Sequence, residues 1–134
     1  MTENKSNMSY DTMLEMLIQN MKQLAANSTS SCNTINSTNS ILVSMKNRIK
    51  DDQKISEESK EVLVSQIEEL FNSIDENNNI LFTHLSFLRE QLNTYRMVCK
   101  KLKESGILHG DMSASMTFVE KSLSVGEKIC QKQE

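Results

Sequence analysis

Apolar side chains recur at alternating intervals of three and four residues through the middle of this chain, between Val64 and Leu102. A seven-residue repeat that stays in phase over such a length is typical of helices that wrap around one another. We call this set the seam, and its members are Val64, Ile67, Phe71, Ile74, Asn78, Leu81, Leu85, Leu88, Leu92, Tyr95, Cys99 and Leu102. The seam predicts one long helix. Its members other than Cys99 are also the predicted partner-binding residues.

The composition favours an all-α fold. Proline is absent from the 134 residues, although an average usage of about 5% would give about seven, and proline breaks helix interiors. Only three glycines occur, so turns are few. The predicted fold is an elongated helical hairpin or coiled-coil bundle with a shorter third helix at its C-terminal end, and we expect it to form oligomers.

The first helix is predicted over residues 9–50, within a single helical domain that covers residues 9–134. Residues 1–8 are polar, and we expect them to be disordered. Ser9 can cap this helix, because its hydroxyl can accept a hydrogen bond from a free backbone N–H group of the first turn. An apolar stripe keeps its phase along the predicted helix through Leu14, Leu17, Met21, Leu24, Ile35, Leu42, Met45 and Ile49.

A polar segment interrupts this stripe between residues 27 and 40, where twelve of fourteen residues are Asn, Ser or Thr. Such side chains compete for backbone hydrogen bonds and often mark a loop. One alternative is a flexible linker. The other is an unbroken helix in which Ser28, Ser31 and Thr38 form small polar layers, and the phase kept on both sides of the segment favours it.

Two further helices are predicted from their capping residues. The second helix covers residues 57–104, since Ser56 precedes two acidic residues and Gly106 can adopt the left-handed conformation that ends a helix. At 1.5 Å per residue it would extend about 70 Å, close to the length of the first helix, so the two can pair along their lengths. The third helix covers residues 112–131, with Asp111 or Ser113 as its cap. One apolar face of that helix contains Met116, Val119, Leu123 and Cys130.

Asn78 is the one strongly polar member of the seam. A single buried Asn can fix the register and number of packed helices, because misaligned partners leave its amide without hydrogen bonds. The alternative is that Asn77, Asn78 and Asn79 break the helix, since Asn is a weak helix former. The spacing alone leaves both alternatives open.

The charges favour a protein partner. Fifteen basic and eighteen acidic residues nearly balance, so the chain has no strong positive field to attract nucleic acid or an anionic bilayer. No apolar run is long enough to span a membrane, and the N-terminus does not resemble a signal peptide. We therefore expect a soluble cytoplasmic protein, without nucleic-acid binding, membrane insertion or a small-molecule substrate.

The sequence contains no motif for catalysis, cofactor binding or a metal site. His84 and His109 are the only imidazoles, and neither lies in a motif. Cys32, Cys99 and Cys130 are widely spaced, without a Cys-x-x-Cys pair. Reduced thiols fit this spacing best, and zinc binding by Cys99, His109 and Cys130 is a weak alternative. We expect no enzyme activity.

The sequence therefore predicts a non-enzymatic scaffold or adaptor subunit, which assembles into a larger complex through helical contacts. The alternative is a small chaperone or regulator that holds a helical client through the same apolar seam. An exposed seam in the isolated chain would favour the chaperone, whereas a stable helical oligomer would favour the scaffold.

Overall fold

The computed structural model describes residues 8–131, which form three helices and no strand. Helix α1 is Tyr10–Asp51, α2 is Glu57–Glu104 and α3 is Ser113–Gln131. The all-α prediction is therefore confirmed. The predicted disordered segment, residues 1–8, lies outside the described residues except for Met8.

The predicted capping residues begin and end the two long helices. The Ser9 hydroxyl accepts a hydrogen bond from the Thr12 backbone N–H, and the Ser56 hydroxyl accepts one from Ser59. Gly106 ends α2 with a positive φ of 75°. The N–H groups of Gly106 and Ile107 donate to backbone carbonyls of the last turn of α2, which satisfies groups that a helix end leaves unpaired.

Both polar segments are helical. Helix α1 runs unbroken through residues 27–40, and α2 runs unbroken through residues 77–79. Thr34 and Thr38 each donate a hydroxyl hydrogen bond to the carbonyl four residues earlier, so both hydroxyls find their partners within the helix. The helix is thus unbroken in both places, but of the three predicted polar layers only Ser28 is buried, whereas Ser31 and Thr38 are exposed.

Contacts between side chains establish how the helices run. Lys46 of α1 pairs with Glu68 of α2, and Lys60 of α2 reaches the Lys50 carbonyl of α1, so these helices are antiparallel. Helix α3 is antiparallel to α2 and parallel to α1. The contacts that show this are Arg89–Glu127, Arg96–Glu120, Thr29–Ser122 and Cys32–Cys130.

The main core lies where all three helices meet. It consists of the N-terminal half of α1, the C-terminal half of α2, one face of α3 and two residues of the turn between α2 and α3. The apolar face predicted for α3, with Met116, Val119, Leu123 and Cys130, is buried. Both α1 and α2 cover it. The core side chains are Leu14, Ile18, Met21, Ala25, Cys32, Leu85, Leu88, Leu92, Cys99, Leu108, Met112, Met116, Val119, Leu123 and Cys130.

Among residues 8–131, only α1 and α2 continue past the level of Cys130. We call this part the open half, and it comprises residues 33–51 of α1 and 57–77 of α2. Ile67 is the only buried residue within these two ranges. The remaining apolar residues of the open half are half-buried or exposed, so one chain covers this part of the hairpin incompletely.

The inward face of α1 differs from the predicted stripe. Leu14, Met21 and Ser28, which share one heptad position, face inward, but Leu17, Leu24 and Met45 are exposed. Their inward places are taken by residues one position further along the chain, which include Ile18, Ala25 and Cys32. Small side chains suit this face because α1 packs closely against two neighbours. The apolar surface of α1 is therefore wider than one inward stripe.

Gly126 permits the close approach of α3 to both neighbours. A Cβ atom added there would lie 2.9 Å from the Thr29 hydroxyl oxygen of α1 and 3.0 Å from a Leu85 methyl carbon of α2. A larger residue at this position would push α3 away from the hairpin.

None of the helices within residues 8–131 is long and apolar enough to cross a membrane.

Candidate partner-binding surface

Helix α3 covers one side of the α1–α2 hairpin through charged and polar contacts. Arg89 of α2 forms an ion pair with Glu127 of α3, and Arg96 forms one with Glu120. The hydrogen bond from Arg96 lowers the pKa of Glu120, and the bond to Glu127 raises the pKa of Arg89. The Lys22 ammonium of α1 lies 4.5 Å from the centre of the Phe118 ring.

These contacts show which side of the hairpin α3 covers, and therefore which side it leaves uncovered. On α1, Lys22 and Thr29 share one heptad position, which lies beside the inward face on the side of α3. On α2, Arg89 and Arg96 likewise share a heptad position beside the seam. The heptad positions on the other flank of each inward face must then lie on the side away from α3.

That opposite side carries no Asp, Glu, Lys or Arg over most of the hairpin, and we call it the uncharged face. On α1 it comprises Leu17, Asn20, Leu24, Asn27, Ser31, Thr34, Thr38, Ile41 and Met45. On α2 it comprises Leu63, Gln66, Leu70, Ser73, Asn77, Ile80, His84, Phe87, Gln91, Thr94 and Val98.

Large apolar side chains on the uncharged face are open to solvent. Ile80 and Phe87 of α2 are 67% and 56% exposed, and Ile41 of α1 is 63% exposed. Phe87 lines two adjoining shallow hollows along α2, and Glu90 at the border of the face also lines one of them. The other exposed apolar residues of this face are Leu17, Leu24, Met45, Leu70 and Val98. A run of exposed apolar residues on one side of a protein marks an interaction surface.

The charges of α2 lie outside the heptad positions of this face, but one set borders it, since Glu90 lies beside Phe87. Between Glu61 and Cys99 all its charged residues occupy two heptad positions, and the two sets are Glu61, Glu68, Asp75, Arg89 and Arg96, and Glu69, Glu76 and Glu90. This segregation is visible in the sequence. The seam does not reveal it, because the seam is defined by where apolar residues recur and not by where charged residues are absent.

The seam residues face the interior of the same chain. Leu85, Leu88, Leu92 and Cys99 belong to the core. Leu81, Tyr95 and Leu102 are partly buried against it, and Asn78 is buried beside the end of α3. In the open half Ile67 is buried, whereas Val64, Phe71 and Ile74 are half-buried. Contact with a partner through the seam stays a prediction, and only its partly buried members leave surface for it.

Asn78 connects α2 to the end of α3. Its side-chain amide donates a 2.6 Å hydrogen bond to the Cys130 backbone carbonyl, which belongs to the last turn of α3. This bond satisfies a carbonyl that has no partner within its own helix. The Asn78 side-chain oxygen is buried and has no hydrogen-bond partner among the described residues. Asn78 therefore fixes the position of α3 on the hairpin.

The remaining candidate residues lie apart from the metal-site arrangement considered for them. His84 is half-buried on the uncharged face, and His109 is exposed in the turn before α3. Burial raises the pKa of the Cys99 thiol, which favours its protonated form. Within residues 8–131 no group of three or more His, Cys, Asp or Glu side chains is arranged to hold a metal ion.

Asp11 holds the turn that leads into α3. The backbone N–H groups of His109 and Gly110 donate hydrogen bonds to its two carboxylate oxygens. These bonds, led by the one from His109, lower the pKa of Asp11 below its ordinary value. The Asp11 carboxylate thus anchors the start of α3 to the first turn of α1.

We expect Asp11→Asn to reduce stability at neutral pH and to reduce the acid sensitivity of the protein. Because the pKa of Asp11 is lower in the folded state, its contribution is present above the unfolded pKa of about 3.9 and is lost as the pH falls through the folded value. Urea unfolding from pH 7 to pH 2 should therefore show the difference between wild type and variant shrinking with acid. Glu15→Gln is the matched control. A difference that stays constant with pH would contradict this role.

The chain matches no protein-family model, no curated protein and no solved structure.

Proposed function

We propose that this protein is a non-enzymatic helical scaffold subunit, which assembles with a second copy of itself through the uncharged face. The observation that supports the proposal is the alignment of exposed apolar residues, among them Ile41, Ile80 and Phe87, on a side without Asp, Glu, Lys or Arg. Burial of apolar surface would drive association at about 25 cal/mol for each square ångström removed from water.

The chemistry of the face suits a second copy. A two-fold interface places the same surface patch on both subunits, so a charged patch would face its own charge. The uncharged face avoids this repulsion. Its polar residues, such as Asn77, Gln91 and Ser31, carry groups that both donate and accept hydrogen bonds and can therefore pair with their own kind.

The size of the face is sufficient for a stable dimer. From residue 63 to residue 98 of α2 it extends about 50 Å, at 1.5 Å per residue. Two adjacent helices with axes 8–10 Å apart present a surface about 15–20 Å wide. The product is about 750–1,000 Å² per subunit, which matches the roughly 800 Å² per partner of a standard interface.

The open half gives a second reason for association. Its two helices bury only Ile67, whereas the three-helix half buries a continuous core. A second hairpin packed on the same face would complete a four-helix bundle in the open half. In that bundle Ile41, Met45 and Leu70, which are exposed in the single chain, would lose contact with water.

Light scattering coupled to size-exclusion chromatography tests this proposal. The expected particle has twice the 15.3 kDa mass of the chain and dissociates only on dilution. A particle that stays at the mass of one chain at about 100 μM would overturn the proposal. If that monomer suppressed aggregation of an unrelated helical protein, the chaperone alternative would replace the scaffold.

A further inference from the structure

Two buried thiols meet where α3 ends against α1. The Sγ atoms of Cys32 and Cys130 lie 2.6 Å apart, and both side chains are almost fully buried. A disulfide bond has an S–S distance of about 2.05 Å, so a shift of roughly half an ångström would bring the two sulfur atoms to bonding distance. Asn78 holds the Cys130 carbonyl beside them, which keeps the two cysteines in register.

We propose that Cys32 and Cys130 form a reversible intramolecular disulfide bond, which fastens the end of α3 to the middle of α1. Cys99 does not compete for either sulfur atom. Cys130 lies level with Asn78 on α2, and Cys99 lies 21 residues further along that helix, about 30 Å away. The fold therefore selects one pairing among the three cysteines of the chain.

The oxidant in this proposal is a small-molecule disulfide such as oxidised glutathione. The Cys130 thiol gives its proton to solvent, and its thiolate attacks one glutathione sulfur, which forms a mixed disulfide and releases one glutathione. The Cys32 thiol then gives its proton to solvent, and its thiolate attacks the Cys130 sulfur and releases the second glutathione, while the two released glutathione thiolates take up the two protons. The two cysteines lose two electrons in total, which reduce the glutathione disulfide to two thiols.

Burial controls the rate of this exchange. Desolvation, with the neighbouring Cys32 thiol, raises the pKa of Cys130 to about 12, so its thiolate is scarce while the helix end is closed. Cys130 lies in the last turn of α3, where helices fray, and opening of that turn would expose it. The exchange should accordingly be slow near neutral pH and faster in mild alkali.

The bond would stabilise the fold without changing the proposed interface. It would close a loop between residues 98 positions apart, and long loops gain most from cross-linking. We expect the melting temperature to rise by about 10 °C on oxidation and to return after reduction. Because α3 lies opposite the uncharged face, self-association should be unaffected, and the two proposals can fail independently.

The test is peptide mapping of the folded full chain after incubation with oxidised glutathione at pH 8.5. Free thiols are alkylated after acid quenching and unfolding. The expected map contains one disulfide between the Cys32 and Cys130 peptides, with Cys99 alkylated. Cys99→Ser should give the same bond. Alkylation of all three cysteines, or a disulfide that includes Cys99 or joins two chains, would overturn the proposal, and this readout from the wild type does not require a Cys32 variant to fold.

Discussion

Leu92→Ala is expected to lower the free energy of unfolding by about 4 kcal/mol. The Leu92 side chain is fully buried in the half of the molecule where three helices meet, so its truncation removes apolar contacts and leaves a cavity. Surrounding side chains cannot collapse into that space without moving α3, which ion pairs and the Asp11 contacts hold in place. Urea unfolding followed by circular dichroism, at one fixed protein concentration, measures the effect.

Two variants serve as controls for Leu92→Ala. Met97 lies on the same helix but is 71% exposed, so Met97→Ala should cost less than about 0.5 kcal/mol. Ile74 belongs to the same seam in the open half, where it is half-buried, and Ile74→Ala should cost about 1–2 kcal/mol. Equal losses for Leu92→Ala and Ile74→Ala, measured at a concentration where the chain is monomeric, would contradict the division of the single hairpin into a packed half and an open half.

The sequence predicts the helices well because their signals are local. The seam of α2, the Ser9 and Ser56 caps and Gly106 act within a few residues of their own positions. The heptad phase also held across residues 27–40, where composition alone suggests a loop. A strong repeat on both sides of a weak segment thus outweighs the low helix propensity of Asn, Ser and Thr.

The sequence predicts the inward face of α1 less well, because that face depends on distant neighbours. Leu17 and Leu24 are more apolar than Ala25 and Cys32, yet the smaller residues face inward. They do so where α3 packs on both helices of the hairpin. No local sequence pattern in α1 indicates that a third helix will pack there. The contact between Cys32 and Cys130 could not be predicted for the same reason. It depends on which residues of α1 lie beside the end of α3, and this is set by the packing of the whole bundle.

Phe87→Glu should weaken self-association at least 100-fold. In a two-fold interface one substitution introduces a carboxylate from each subunit into the apolar contact surface, so an unpaired charge is buried twice, and each burial is costly. A 100-fold change corresponds to about 2.7 kcal/mol. Because Phe87 is exposed in the single chain, the variant should fold as the wild type does.

Val125→Glu provides the matched control for this prediction. Val125 is 51% exposed and lies on α3, which covers the side of the hairpin opposite the uncharged face. The substitution adds the same charge at similar exposure to a surface that the proposed dimer leaves in solvent. Its dissociation constant should therefore stay within about threefold of the wild-type value, a change below 1 kcal/mol.

Sedimentation equilibrium of wild type, Phe87→Glu and Val125→Glu at matched concentrations tests the role of the uncharged face most directly. The account predicts a dimer for wild type and Val125→Glu, and a monomer for Phe87→Glu at concentrations where the other two are dimeric. Three monomers, or equal dissociation constants for the two glutamate variants, would contradict it.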